Sequence, residues 1–203
     1  MKKNKISKNW INKQKSDIFV RKSKIEGYRS RAAYKLIEIN EKFKIIKNGI
    51  SIVDLGAAPG SWSQYISTSF KNIKLLSIDI KQMKQLKNTY QITGNFNEKK
   101  FQDKIKNYFN SKIDAVISDM AENTTGNKNI DVISTSELCK EAMYFSKDIL
   151  KENGSFVSKI FMGSTFNEIM EESKLLFKQI KVFKPTSSRK DSKESFIICK
   201  FLR

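Results

Sequence analysis

The apolar run from Ile50 to Val53 continues into Asp54-Leu55, ends in Gly56-Ala57-Ala58-Pro59-Gly60, and gives way to a polar, helix-compatible stretch at Ser61-Trp62. A strand, a glycine-lined turn and a helix start in that order form the junction at which an α/β sheet binds a nucleotide-like ligand. Small residues let the backbone approach the ligand, and the first N–H groups of the helix are free to face it. The glycine spacing narrows the choice. A dinucleotide site uses G-x-G-x-x-G, whose third glycine lets the helix pack closely beneath a pyrophosphate. Here the spacing is G-x-x-x-G, with no such third glycine.

Hydrophobic periodicity continues the alternation on both sides of this junction. Residues 1–29 read as a basic, Asn-rich N-terminal arm, and 30–203 as one domain. A helix is expected from Ser30 to Phe43, with Ala33, Leu36, Ile37, Ile39 and Phe43 on its apolar stripe and Lys35 off it. Strands are expected at Ile50–Leu55, Lys74–Ile80, Tyr90–Thr93, Ala115–Asp119, Phe156–Phe161, Ile180–Phe183 and Phe196–Phe201. Helices are expected at Ser61–Phe70, Glu98–Phe109, Ser134–Lys151 and Thr165–Phe177, the third of them closed by Asn153-Gly154. No helix separates the last two strands, so they should pair antiparallel. The resulting fold class is α/β: a doubly wound, mostly parallel, Rossmann-like sheet of seven strands with a terminal antiparallel hairpin.

At 203 residues and 39% hydrophobic content the chain can bury a core of its own. It carries no apolar run long enough to span a bilayer and no apolar signal-peptide core, so a soluble, cytoplasmic protein without a membrane partner is expected. Histidine is absent, and Cys139 and Cys199 stand far apart outside any C-x-x-C pair. No metal site or disulfide is indicated, and acid–base chemistry must use Lys, Asp, Glu or Tyr. A formal charge of +18 favours a polyanionic partner such as nucleic acid. Twelve Lys and Arg against two acids lie in the first 35 residues. Arginine is scarce, so its placement is informative: Arg21, Arg29 and Arg31 cluster there, where the guanidinium fork suits phosphate.

Ligands of a doubly wound sheet lie beyond the carboxyl ends of its strands. Those ends present Asp54 and Gly56, Asp79, Asn95, Asp119 and Lys159. Asp79 can accept from ribose hydroxyls, and Asn95 can pair with an adenine edge or simply make a turn. Asp119 and Lys159 each sit in or at the end of an apolar strand, where a lone charge is costly. They should face each other or a ligand.

D-x-G-x-x-x-G is the first-loop pattern of S-adenosylmethionine-dependent methyltransferases. With Ser30-Arg31-Ala32-Ala33-Tyr34-Lys35-Leu36, Val53 to Gln64, Ser118-Asp119-Met120-Ala121, Ser158-Lys159, and Ser187-Ser188-Arg189 followed by Glu194, the chain resembles the FtsJ/RlmE-type ribosomal RNA ribose 2′-O-methyltransferases from about Trp10 onward. The resemblance implies a catalytic tetrad at Lys35, Asp119, Lys159 and Glu194, and cofactor contacts at Gly60, Trp62, Asp79, Asn95 and Asp119. With their motif neighbours, the candidate S-adenosyl-L-methionine shell is Asp54, Gly56, Ala57, Pro59, Gly60, Ser61, Trp62, Asp79, Ile80, Asn95, Phe96 and Asp119. Arg29, Arg31, Lys35 and Arg189 are the candidate RNA contacts. The chain departs from the family at Ser61, usually Gly, at Asn95, usually an acid, and at Glu122, usually Pro.

The resemblance further implies a monomer acting on a uridine of large-subunit ribosomal RNA within the assembled subunit. An isolated lysine near pKa 10.4 is rarely neutral at pH 7, so the neighbours of Lys159 decide whether it takes the hydroxyl proton or only steers the hydroxyl. Alternative readings are a transfer-RNA or messenger-cap ribose methyltransferase, a ribosome-assembly module without catalysis, and, least favoured by the glycine spacing, an NAD-dependent enzyme.

Overall fold

The computed structural model describes residues 17–121 and 128–203. The basic stretch before residue 17 and Glu122 lie outside the described residues. In chain order the elements are α1 (Ile18–Ile25), α2 (Ala32–Phe43), β1 (Ser51–Leu55), α3 (Ser61–Ser69), β2 (Lys74–Asp79), β3 (Thr89–Thr93) and α4 (Lys99–Phe109). They continue with β4 (Ile113–Ser118), α5 (Lys128–Ile149), β5 (Leu150–Phe161), α6 (Phe166–Leu176), β6 (Phe177–Phe183) and β7 (Glu194–Leu202). The strands form one sheet in the order β3-β2-β1-β4-β5-β7-β6. All neighbours are parallel except β7, which runs antiparallel to β5 and β6.

Successive strand residues serve opposite faces, and both faces are covered. Val53, Leu76, Val116, Phe156 and Ile197 pack under α4, α5 and α6 with Ile105, Phe109, Ala142 and Met143. Their neighbours Ile52, Leu75, Ile117, Val157, Phe196 and Ile198 pack under α2 and α3 with Leu36, Ile39, Trp62 and Ile66. This double burial is why the strands read as near-continuous apolar runs rather than alternating ones.

Three local features differ from the sequence reading. Helix α1 occupies part of the segment read as arm: Asp17 caps it, its Oδ1 accepting from Phe19 N (3.0 Å) and Val20 N (3.3 Å), and Phe19 packs on Tyr34 of α2. A basic eight-residue helix with a single capping acid shows too little apolar periodicity to stand out. Helix α5 begins at Lys128, six residues ahead of the expected start. Asn153-Gly154 does not close that helix but lies inside β5, whose pairing with β4 jumps from Ile113↔Leu150 to Ala115↔Ser155. The turn signal is therefore a bulge, because the chain re-enters the sheet at Leu150 before reaching it.

Candidate active site

The parallel strands end along one edge, where a cleft of about 450 Å³ opens. Its floor is the turn after β1. Gly56 (φ +71°) adopts a left-handed conformation, and a Cβ there would stand 2.3 Å from Met120 Cγ. Only a glycine lets the β1 turn and the end of β4 pass this closely. The turn hangs on the neighbouring strand: Gly56 N and Ala57 N donate to Ile78 O (2.9 and 3.1 Å), and Ala58 N donates to Asp79 Oδ2 (2.9 Å). Asp79 Oδ1 accepts from Lys81 N (2.8 Å), so the carboxylate is fixed in direction while each oxygen keeps acceptor capacity toward the cleft. Gly60 (φ +101°) starts α3 against Arg29, whose Nη1 donates to Pro59 O (2.9 Å) and whose Nη2 donates to Gln85 O (3.1 Å).

Of the candidate cofactor residues, Gly56, Pro59, Asp79, Ile80, Asn95, Phe96 and Asp119 line this cleft. Asp54, Ala57, Ser61 and Trp62 line a smaller recess behind the turn that also reaches Asp119. Gly60 lines neither, and the Trp62 indole donates to Ala32 O (2.8 Å), tying α3 to the start of α2. Asn95 Oδ1 accepts from Asn97 N (3.1 Å), the turn role open to it in the sequence, while the residue still faces the cleft. The sequence reading missed Met120 and Leu138 as lining residues, since nothing in their spacing separates them from core apolar positions.

Asp54 is fully buried. One oxygen accepts from Ser63 Oγ (2.6 Å) and the other has no hydrogen-bond partner. Burial pushes its carboxyl up to about 7, with the charges of Asp119 and Asp79 adding to the shift and the Ser63 hydrogen bond opposing it.

At the other side of the cleft four side chains from four elements meet. Sheet register brings three of them together: Ser118 pairs with Ser158, placing Asp119 beside Lys159, and antiparallel pairing sets Lys159 opposite Phe196, with Glu194 opposite Phe161 two positions on. Helix α2 adds Lys35. Lys159 Nζ lies 2.8 Å from Asp119 Oδ1 and 3.9 Å from Glu194 Oε2, and it donates to Asp119 O (2.8 Å). Lys35 Nζ lies 2.7 Å from Glu194 Oε2 and 3.7 Å from Asp119 Oδ1. Burial alone would discharge such a group, but two amines and two carboxylates compensate one another. Desolvation lowers the Lys35 value, yet Asp119 and Glu194 outweigh it and hold the amine charged. Desolvation likewise raises Asp119, and Lys159 and Lys35 outweigh it and hold the carboxyl below its ordinary range. Asp119 and Lys159 also line the cleft, so the cluster opens onto the space above the turn.

The candidate RNA contacts have partners within the fold. Arg31 pairs with Asp17 and donates to Ser187 O, and Arg189 Nε lies 3.5 Å from the same Asp17 carboxylate. Arg29 is bonded to the turn as described. Among the described residues no helix is long and apolar enough to cross a membrane.

Comparison with known proteins agrees with this geometry. The chain is 66% identical over all 203 residues, covering 100% of both chains, to the Pelagibacter ubique protein named ribosomal RNA large subunit methyltransferase E. It is 44% identical over 198 residues to the protein of the same name from Rickettsia akari, covering 95% of this chain and 87% of that one. A Plasmodium falciparum crystal structure described as a ribosomal RNA methyltransferase superimposes with a TM-score of 0.76 at 32% identity, over 86% of this chain and 98% of that one. Human methyltransferase-like protein 13, in complex with S-adenosylhomocysteine, shares the fold at a TM-score of 0.60 and 11% identity, over 84% of this chain and 79% of that one. With residues 28–202 matching the family as a whole, the chain belongs to the FtsJ-like methyltransferases.

Proposed function

We propose that the protein transfers a methyl group from S-adenosyl-L-methionine to a ribose 2′-hydroxyl of large-subunit ribosomal RNA, a uridine of the assembled subunit. The observation that carries this reading is the convergence of Lys35, Asp119, Lys159 and Glu194 at the mouth of the cleft. The name shared by the bacterial relatives supports the choice of RNA.

The residues fit the methyl donor. Asp79 would accept from its ribose hydroxyls, Asn95 would meet the adenine edge with Ile80 and Phe96 beside the ring, and the turn from Gly56 to Ser61 would hold the methionine end. The unpartnered oxygen of Asp54 gives that end a buried acceptor for a cationic group. Bound there, S-adenosylmethionine supplies a methyl group on a sulfonium, open to in-line attack by an oxygen.

What this chain contributes is alignment and proton handling. Lys159 Nζ receives the 2′-hydroxyl and directs its oxygen into the cleft; in its neutral form it takes the proton as the oxygen–carbon bond forms and the methyl–sulfur bond breaks, the sulfonium leaving as a neutral thioether. Asp119 fixes the direction of that nitrogen through its side chain and its backbone carbonyl. Lys35, held charged, keeps the Glu194 carboxylate in place through a 2.7 Å ion pair. Orientation of this kind supplies several kcal/mol that free encounter lacks. Phosphates would meet the basic rim around the cleft, where Arg189 is more exposed than Arg31, while Arg29 adds charge beside the turn.

The test is transfer of labelled methyl groups from S-adenosylmethionine to undermethylated large subunits, with the labelled ribose then mapped. Lys159→Ala should lower the rate by at least about a hundredfold, in keeping with loss of a positioned acid–base group. A variant that methylates at the native rate, or label found on a base rather than a ribose oxygen, would overturn the proposal.

A further inference from the structure

Glu194 is held at both oxygens. Oε2 meets Lys35 Nζ at 2.7 Å, and Oε1 accepts from Ser188 Oγ at 2.7 Å. Ser188 belongs to the connection between β6 and β7, which has neither helix nor strand to stiffen it. Helix α2 stiffens it instead. Glu38 Oε2 accepts from Thr186 N (2.6 Å) and Thr186 Oγ1 (2.8 Å), and Glu38 Oε1 accepts from Ser187 N (2.8 Å). The turn closes on itself through Ser188 N donating to Pro185 O (3.0 Å), and Ser187 and Ser188 are buried.

Lys35 and Glu38 are three residues apart on α2 and so point to the same side of it. One helix therefore grips the Glu194 carboxylate twice, directly through the amine and indirectly through the seated turn. Three donors converge on Glu38. Burial would raise its carboxyl, but the bonds from Ser187 and Thr186 win and lower it, so it remains the anion that the turn requires.

We propose that Glu38 and Ser188 are positioning residues for Glu194: they fix the rotamer in which one carboxylate oxygen holds Lys35 and faces Lys159. The inference rests on the methyl-transfer reading above, in which Glu194 belongs to the catalytic group. Without the Ser188 hydroxyl, Oε1 keeps no described donor, and rotation of the carboxylate would move the oxygen that orders both amines.

The experiment compares wild type, Ser188→Ala, Ser188→Thr, Glu38→Gln, Glu194→Ala and the Ser188→Ala/Glu194→Ala double variant. Steady-state transfer is measured to undermethylated large subunits, alongside calorimetric binding of S-adenosylhomocysteine. Ser188→Ala and Glu38→Gln should each lower kcat about tenfold, the effect of one hydrogen bond to a charged group, with KM and cofactor Kd unchanged. Glu38→Gln keeps the shape but turns an amide N–H₂ toward a backbone donor. Ser188→Thr should recover most of the rate, and the double variant should be no slower than Glu194→Ala, because Ser188 acts only through that carboxylate.

Wild-type kcat in Ser188→Ala beside an impaired Glu194→Ala overturns the positioning role alone. So does a double variant slower than Glu194→Ala by the full Ser188→Ala factor. A native rate in Glu194→Ala overturns the assignment of Glu194 to the catalytic group, whereas absence of transfer to any ribose by the wild type overturns the methyl-transfer reading itself. Thermal melts accompany each variant, and if Ser188→Ala is unfolded, Glu38→Gln decides: a kcat loss with intact KM supports the proposal, and an unchanged kcat sinks it.

Discussion

On one side of the cleft the main chain makes the surface: Gly56 to Ser61 is a continuous stretch, hung on β2 by backbone donors and facing the cleft and the recess behind it with small residues. On the other side the surface is side chains alone, delivered from α2, β5, β7 and the residue after β4, with 159 positions of sequence between Lys35 and Glu194. The first side is fixed by steric fit, so it should fail by collision. The second is fixed by charge balance, so it should fail by uncompensated burial. Variants that separate these failures test the division.

The largest effect is expected from Gly56→Ala. The added Cβ would stand 2.3 Å from Met120 Cγ and 3.1 Å from Met120 Cα, at a φ of +71° that L side chains resist. The left-handed conformation costs about 1–2 kcal/mol and overpacking about 1–3 kcal/mol more. Both fall on the turn that would hold the methyl donor, so S-adenosylhomocysteine binding should weaken by at least about a hundredfold. Calorimetry measures this, and an affinity within threefold of wild type would mean that collision does not define this side.

The same division explains what the sequence reveals. The turn is legible because its chemistry is local: an apolar run, a spacing of glycines and a helix start lie within a dozen residues. Asp119 and Lys159 are half legible, since each puts a charge where a strand should be apolar, which demands a partner without naming it. Lys35 and Glu194 carry no such mark: one lies off the stripe of an amphipathic helix and the other just ahead of a strand, and resemblance to a family, not spacing, picks them out. Glu38 carries no mark in the sequence, and Ser188, though part of the Ser187-Ser188-Arg189 motif that carries the resemblance, has no role there, because what each side chain holds is set only when the turn folds onto α2. Helix α1 and the bulge at 151–154 were misread for a related reason, their local signals being overruled by docking on α2 and by β4 pairing.

Two carboxylates, Asp54 fully buried and Asp119 facing the cleft, sharpen the contrast further. Asp119 faces two amines and is held below its ordinary range, whereas Asp54 faces no described cation and is pushed up to about 7. For Asp54 the folded state binds the proton more tightly than the unfolded chain. Its contribution is therefore full below about pH 4, is lost as pH rises to about 7, and is flat above that. The loss is roughly 4 kcal/mol at most, by 1.36 kcal/mol per unit. Asp54→Asn removes the dependence and can keep the Ser63 hydrogen bond. Relative to that variant, wild type should thus be less stable at pH 8 than at pH 5 by about 2.7 kcal/mol, the two units between pH 5 and 7 at 1.36 kcal/mol each. Asp119→Asn should show the opposite sign in a more acid window, since the native carboxylate's contribution is full above its unfolded value near pH 4 and is lost only as pH falls below that. Urea unfolding of the three proteins at pH 8, 5 and 3 checks the signs, the first pair for Asp54 and the second for Asp119, and a pH-independent difference for Asp54→Asn would remove burial as the cause.

The smallest effect is expected at Arg29, where the two sides can be told apart by which measurement responds. Its guanidinium joins the turn to the segment before β3 through Pro59 O and Gln85 O, and its own N–H donates to Gln64 Oε1 (2.9 Å). Arg29→Ala keeps the backbone bond and removes the two side-chain bonds. Both are solvent-accessible, so together they contribute about 1 kcal/mol. S-adenosylhomocysteine affinity should accordingly fall about fivefold while kcat at saturation holds, because the four charged side chains across the cleft are untouched. Ribosomal RNA binding supplies the second measurement. A phosphate contact contributes nearly one unit to the slope of log K against log salt, and a guanidinium engaged by carbonyls contributes little. The slope should therefore be unchanged in Arg29→Ala and smaller by about one in Arg189→Ala, whose guanidinium is a third exposed and lies 3.5 Å from the Asp17 carboxylate rather than on carbonyls of the turn. The reverse pattern, intact donor affinity with a reduced salt slope in Arg29→Ala, would transfer Arg29 from the clamp on the turn to the RNA surface, and the main-chain side would then be held by β2 alone.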